Sequence, residues 1–251
     1  MLEMFSLENK TAIITGGNRG LGEAMSLGLA EAGANVVVIA RNENPELEEK
    51  IKGLGRKYKM IPMDLSDISK FEEVVESINK EFGSVDILIN NAGVQKRHPS
   101  VEFPEEDWDF VLNVNTKAVF FLCQAVGKKM IEQGKGKIVN IASLLSFQGG
   151  FTVPAYAASK GAVMQFTKSL SNEWAKSGVN VNGIAPGYMA TEMNTAIMAD
   201  KARNEQISQR IPAGRWGKPE DLVGAAIFLS SNASDYINGE IIVVDGGWMG
   251  R

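Results

Sequence analysis

The sequence holds one cysteine and one histidine in 251 residues. A lone Cys123 excludes an internal disulfide, and its place at the end of the apolar run Ala118–Cys123 reads as a buried structural thiol rather than a nucleophile. A lone His98 excludes a histidine-rich metal centre, so no metal is expected. Charge of one sign is also missing. The 26 basic and 30 acidic side chains are mixed along the chain and leave a formal charge of −4, without a basic stripe for nucleic acid or an acidic tail. No apolar run approaches the ~20 residues that span a bilayer, and residues 1–10 lack the core of a signal peptide. A cytoplasmic globular protein with no nucleic-acid or membrane partner is therefore expected, and its length suits one domain covering 1–251.

What the chain does have is alternation. Short β-branched runs predict strands at Thr11–Thr15, Asn35–Ala40, Lys59–Met63, Val85–Asn90, Lys137–Ser143, Val179–Ile184 and Glu240–Val244. Helical periodicity falls between them, near Gly20–Ala32, Glu46–Arg56, Ser66–Phe82, Pro104–Glu132, Ala155–Lys176 and Pro219–Ser231. The pattern is that of an α/β, Rossmann-type, doubly wound sheet of seven parallel strands with helices on both faces. Thr191–Gln209 breaks the alternation. It is helical in composition and is placed where an added segment overhangs a ligand crevice, so 191–210 is a candidate substrate lid; an ordinary surface helix is the other reading.

Thr15–Gly22 follows the first strand and opens the first helix. Gly16, Gly20 and Gly22, with Asn18, Arg19 and Leu21 between them, form a turn that lets backbone N–H groups and the helix N-terminus approach a pyrophosphate. The spacing is G-x-x-x-G-x-G, not the general G-x-G-x-x-G. After the second strand, Arg41 stands where an acid would read the ribose hydroxyl of NAD. A guanidinium there favours a 2′-phosphate, and Arg19 is expected to approach the same phosphate, so NADP is favoured with NAD as the alternative. Asp64, beside Leu65 after the third strand, is a candidate acceptor for the adenine amino group.

Tyr156 and Lys160 stand at i and i+4 on one helix face, where an ammonium lowers a phenol pKa toward the range a general acid/base needs. Ser143 ends the fifth strand, Asn90-Asn91-Ala92-Gly93 ends the fourth, and Asn115 lies in the next helix. With Pro186-Gly187, this set matches in order and spacing the short-chain dehydrogenase/reductase family, which the chain resembles over essentially its whole length. The resemblance implies that Tyr156 transfers the proton, Ser143 orients the substrate oxygen, and Lys160 binds the nicotinamide ribose. It implies that Asn115 holds a water of a proton relay, that Asn91, Ala92, Gly93, Pro186, Gly187 and Met189 line the cofactor, and that Thr191 contacts its carboxamide. Family members are commonly homotetramers packed through the helices expected at Pro104–Glu132 and Ala155–Lys176. Val119, Phe120, Phe121, Val163, Phe166 and Leu170 suit either that interface or the core.

Three stretches bear on substrate. Lys96-Arg97 follows the fourth strand and suits a carboxylate, although a solvated basic loop fits as well. Ser143–Gly150, with Gln148, offers polar groups for a polyol, and Arg210–Gly217 follows the candidate lid. These stretches resemble the sugar-acid branch of the family, with features of both its deoxygluconate and its gluconate members. The expected activity is interconversion of a secondary alcohol and ketone of a sugar acid. A 3-oxoacyl-thioester reductase and a non-catalytic cofactor-binding sensor are the rival readings.

Overall fold

Strand β1 (Thr11–Thr15) is buried along its whole length, as a strand must be when both faces of its sheet are covered. The computed structural model describes residues 2–251. Around β1 lie β2 (Asn35–Ala40), β3 (Tyr58–Pro62), β4 (Ile87–Asn90), β5 (Gly136–Ile141), β6 (Val179–Pro186) and β7 (Ile241–Val244). Their order is β3-β2-β1-β4-β5-β6-β7, and every pairing is parallel. The winding reverses between β1 and β4, which leaves a crevice at their carboxyl ends.

Nine helices cover the sheet: α1 (Gly20–Glu31), α2 (Pro45–Gly53), α3 (Phe71–Phe82), α4 (Glu105–Leu112), α5 (Val119–Gln133), α6 (Pro154–Trp174), α7 (Thr195–Ala199), α8 (Lys201–Arg210) and α9 (Val223–Ser230) among the described residues. The period of two in the strands divides the core. Ala12, Ile14, Val36 and Val38 pack with Leu29, Leu47 and Ala226 on one face. Ile13, Val37 and Ile39 pack with Val75, Leu122 and Leu170 on the other. Close helix packing needs glycine at one contact in particular: a Cβ on Gly28 of α1 would lie 2.3 Å from Val223 at the start of α9.

Several boundaries differ from expectation for identifiable reasons. β4 begins at Ile87 rather than Val85, because Asp86 turns its buried carboxylate onto Thr11 N (3.0 Å) and Ser84 Oγ (2.5 Å). β5 stops at Ile141, since Ser143 caps a 3-10 turn at Leu144–Ser146. α3 starts at Phe71 because Asp64 and Asp67 hold Ser66 and Ser69 in local turns. The helix expected over Pro104–Glu132 contains a π-helical turn at Asn113–Ala118, between α4 and α5. The stretch Glu105–Gln133 has length and hydropathy enough to cross a membrane, unlike the sequence-based expectation, yet 56% of that window is buried inside the protein. The candidate lid is not one helix. It is a 3-10 turn, α7 and α8, broken at Asp200, whose carboxylate caps α8 through Arg203 N (3.1 Å).

Candidate active site

The glycine turn is built for close approach. Gly16 and Gly20 have φ of +60° and +53°, and a Cβ on Gly22 would lie 2.0 Å from Gly16 O. Gly20 opens α1 into free space, with nothing within 4 Å of where a Cβ would stand, so a phosphate can reach the helix N-terminus. Thr15 ties this turn to β4: its Oγ1 accepts the N–H groups of Asn91 and Ala92, each at 3.0 Å. Asn91 Nδ2 returns two bonds, to Thr15 O and Gly16 O. Asn18 Nδ2 donates to Asn42 O and Asn44 Nδ2 donates to Asn18 O, both at 2.9 Å, so the loop carrying Arg41 is fixed to the turn. Leu65, Thr15, Ala92 and Val114 line an apolar recess next to it. These features fit a dinucleotide.

Several of the expected cofactor residues have partners within the protein. Arg19 forms an exposed ion pair with Glu192 at the start of the candidate lid (2.9 Å). The Oδ1 of Asp64 is taken by Ser66 N (2.9 Å) and Ser66 Oγ (2.8 Å), and these bonds, with Arg41 nearby as a lesser cause, hold its carboxyl below the usual range. Met189 buries its side chain in the core. Gly187, after Pro186, is needed for packing: a Cβ there would lie 2.7 Å from Asp245 Cα. Thr191 is half-buried at the start of the lid segment.

Asn115, Ser143, Tyr156 and Lys160 lie where the π-helical turn, the segment after β5 and α6 converge beside the end of β4. Pro154 opens α6, which places Tyr156 in its first turn and Lys160 one turn later. Lys160 is 4% exposed; its Nζ donates to Ile141 O (2.5 Å) and stands 5.8 Å from the centre of the Tyr156 ring. Burial lowers the Lys160 pKa to about 8. It raises the Tyr156 phenol, with the Ser143 hydroxyl pulling it back. The expected depression by Lys160 does not set the phenol in the free protein: desolvation of the phenolate dominates, and the Ser143 hydroxyl rather than the ammonium opposes it. Ser143 Oγ accepts Leu145 N (3.1 Å), which leaves its own proton for the Tyr156 hydroxyl.

Asn115 is fully buried in the π-helical turn. Its Oδ1 accepts Val94 N (2.8 Å), while Nδ2 donates to Val94 O (2.8 Å) and Ser159 Oγ (3.1 Å). Both amide protons are used, which leaves one Oδ1 lone pair for the water the resemblance implies. A Cβ on Gly93 would sit 3.4 Å from Asn115 Oδ1 and 3.8 Å from Lys160 Nζ. The gap over Gly93 is therefore open to a group that both can reach.

At the rim, Lys96 pairs with Asp107 (2.9 Å), which also holds His98 (2.7 Å), so the Lys96 charge is neutralised by the first turn of α4. Arg97 is exposed and donates from Nη1 to Phe151 O (3.0 Å) and Thr152 Oγ1 (3.1 Å). Gln148 is half-buried. The lid segment is closed at its base, where Met189 and Gly217 form a parallel bridge. Ala190 N donates to Gly217 O (2.8 Å) and Gly217 N to Tyr188 O (2.9 Å). Its small core of Ile207, Ile211, Tyr188, Trp216 and Trp248 includes Leu144, the residue after Ser143. A cavity of about 330 Å³ lies between Lys10, Asp86 and Lys137 at the amino end of the strands, away from all these groups. Sequence alone assigns no individual role to Thr15, Asn44, Ser146 or Ser159. Thr15 and Asn44 flank noted motifs, which is the only signal they carry.

A crevice whose glycine turn fits a dinucleotide, with the Tyr156 hydroxyl set beside the Ser143 hydroxyl and the Lys160 ammonium, is shaped for hydride chemistry at a CH–OH carbon. The protein is an NAD(P)-dependent oxidoreductase of that kind. The family model described as short chain dehydrogenase matches residues 10–202, and the chain belongs to that family. It is 53% identical to 2-dehydro-3-deoxy-D-gluconate 5-dehydrogenase of Dickeya dadantii (strain 3937), covering 100% of both chains. A solved structure from Agrobacterium tumefaciens, named for a 2-deoxy-D-gluconate 3-dehydrogenase with bound NADP, is 51% identical; the match covers 99% of this chain and 100% of that one, with a TM-score of 0.93. A gluconate 5-dehydrogenase from Burkholderia cenocepacia J2315, in complex with NADP and tartrate, is 41% identical over 100% and 99% of the two chains, with a TM-score of 0.96.

Proposed function

We propose that the protein interconverts a secondary alcohol and a ketone on a sugar acid, as a 2-dehydro-3-deoxy-D-gluconate 5-dehydrogenase. The observation that carries this reading is the end-to-end 53% identity with the Dickeya enzyme of that name. The second reading is a gluconate 5-dehydrogenase, favoured by the likeness to the Burkholderia structure. Arg41, exposed at the end of β2 where an acid would select NAD, supports NADP(H), as do the neighbours that hold NADP. The half-exposed Phe120, Phe121 and Phe166 support a homotetramer. Burial of Glu105–Gln133 in the core supports a soluble protein of the cytoplasm.

The residues divide the work. A bound nicotinamide would supply hydride exchange at the carbinol or ketone carbon, and the Gly16–Gly22 turn, Asn91–Gly93 and Lys160 would hold the cofactor. Tyr156 removes the hydroxyl proton in oxidation and returns it in reduction. Ser143 turns its proton from the Tyr156 hydroxyl to the substrate oxygen and fixes its direction. Lys160 favours the phenolate and binds the nicotinamide ribose from the space over Gly93. Arg97 meets the sugar-acid carboxylate at the rim, with the remainder of its guanidinium fork, and residues 191–210 close over the substrate. Lys96 serves the loop rather than the carboxylate.

Aldonic and ketoaldonic acids assayed with both nicotinamides test the reading. We expect turnover of 2-dehydro-3-deoxy-D-gluconate with NADP above that of gluconate, and a loss of at least about 100-fold in kcat for Tyr156→Phe. Faster oxidation of gluconate would move the assignment to the second reading. Activity retained in Tyr156→Phe would remove the mechanism.

A further inference from the structure

Two serines outside the reacting set join its four members in pairs. Ser159 is fully buried in α6, between Tyr156 and Lys160. Its hydroxyl donates to the Tyr156 carbonyl (2.7 Å) and accepts a hydrogen bond from Asn115 Nδ2 (3.1 Å). Ser146 closes the turn after β5. Its hydroxyl donates to the Lys160 carbonyl (2.7 Å) and accepts the Ser143 N–H (3.3 Å). One hydroxyl thus links Asn115 to Tyr156, and the other links Ser143 to Lys160. The two carbonyls lie one turn apart on α6, so the helix is held at two successive turns by two different segments.

We propose that Ser146 and Ser159 are positioning residues, which hold the Tyr156 and Ser143 hydroxyls on one substrate oxygen. Both of their protons are spent on backbone carbonyls, so neither serine has a proton for the substrate. Their value is geometric. Alanine at 159 leaves a buried Asn115 N–H without an acceptor, and alanine at 146 does the same to Ser143 N–H. The chain would relax by turning these groups toward other acceptors, and a shift of about 1 Å at reacting atoms costs about 100-fold in rate. The single remaining side-chain link between these helices here, Thr116 Oγ1 to Ser159 O, is long at 3.4 Å and does not reach Tyr156.

The inference rests on Tyr156 as the proton carrier, so Tyr156→Phe is measured beside the serine variants. Ser146→Ala and Ser159→Ala are expected to lower kcat by between about ten- and 100-fold while KM stays within about threefold. The pH profile of kcat is expected to move by about half a unit or more, and NADPH binding by fluorescence to persist. Ser146→Thr keeps the hydroxyl and should recover kcat to within about threefold of the wild type. Ser159 is fully buried, so Ser159→Cys, which adds no heavy atom, is its second variant; a thiol bonds weakly, and intermediate activity is expected. Alanine variants within about twofold of wild-type kcat overturn the inference. So does a lower kcat with an unmoved pH profile and a matching fall in Tm, which marks a merely structural role. If Ser159→Ala does not fold, Ser159→Cys decides by the same criteria. An active Tyr156→Phe ends the mechanism and this inference with it, whereas an inactive one beside unimpaired serine variants ends this inference alone.

Discussion

The ammonium of Lys160 sits almost out of reach of water, with the Ile141 carbonyl as its hydrogen-bond acceptor. Its pKa of about 8 lies below the ordinary 10.5 because burial penalises the charged form. Between those values the unfolded chain binds more protons at this side chain than the folded one. This residue therefore makes stability rise with pH from about 8 to 10.5, and below pH 8 it costs the fold its full penalty. Urea unfolding at pH 8 and pH 10 checks this: wild type should gain on the order of 2 kcal/mol relative to Lys160→Met across that interval. A constant difference between the two proteins would mean that the folded ammonium is hydrated. Cys123 follows the same rule in the other direction. Burial pushes its thiol up to about 12, which makes it inert, as its apolar surroundings in the sequence foretell.

Among elements, the strands are the most legible in the sequence, because β-branched runs such as Val36–Ile39 have only one way to be buried on both sides. Tyr156 and Lys160 are equally legible, since i,i+4 spacing alone places them together. The π-helical turn is not. Its residues Asn113–Ala118 continue an ordinary helical pattern, and only the bonds from Asn115 to Val94 and Ser159 reveal the extra residue. Ser159 and Asn115 are 44 positions apart, so no local pattern can announce their meeting. The junction of β1 and β4 is a further case. Thr15 looks like a strand-ending threonine, yet its hydroxyl satisfies two backbone donors at the reversal of the winding. Thr15→Val keeps the shape and removes that acceptor. It is expected to cost about 2–4 kcal/mol by denaturant unfolding, with Thr15→Ser costing less than half as much; equal losses would assign the effect to the methyl group.

For the whole molecule, the structure sorts the apolar residues that sequence leaves undivided. Val119, Val163 and Leu170 belong to the core, whereas Phe120, Phe121 and Phe166 form a half-buried aromatic cluster on α5 and α6. If that cluster joins copies of the chain, Phe166→Glu should lower the mass seen in sedimentation while leaving NADPH binding within about threefold. An unchanged mass would place the interface elsewhere. The bridge between Met189 and Gly217 has a different kind of consequence. Strands in such a bridge run about 5 Å apart, so the chain departs from and rejoins the scaffold through a single narrow gate. Whatever lies beyond the gate can be lengthened, shortened or exchanged without re-threading the sheet. The segment between Met189 and Gly217 is thereby free to diverge, while the sheet beneath it stays as it is.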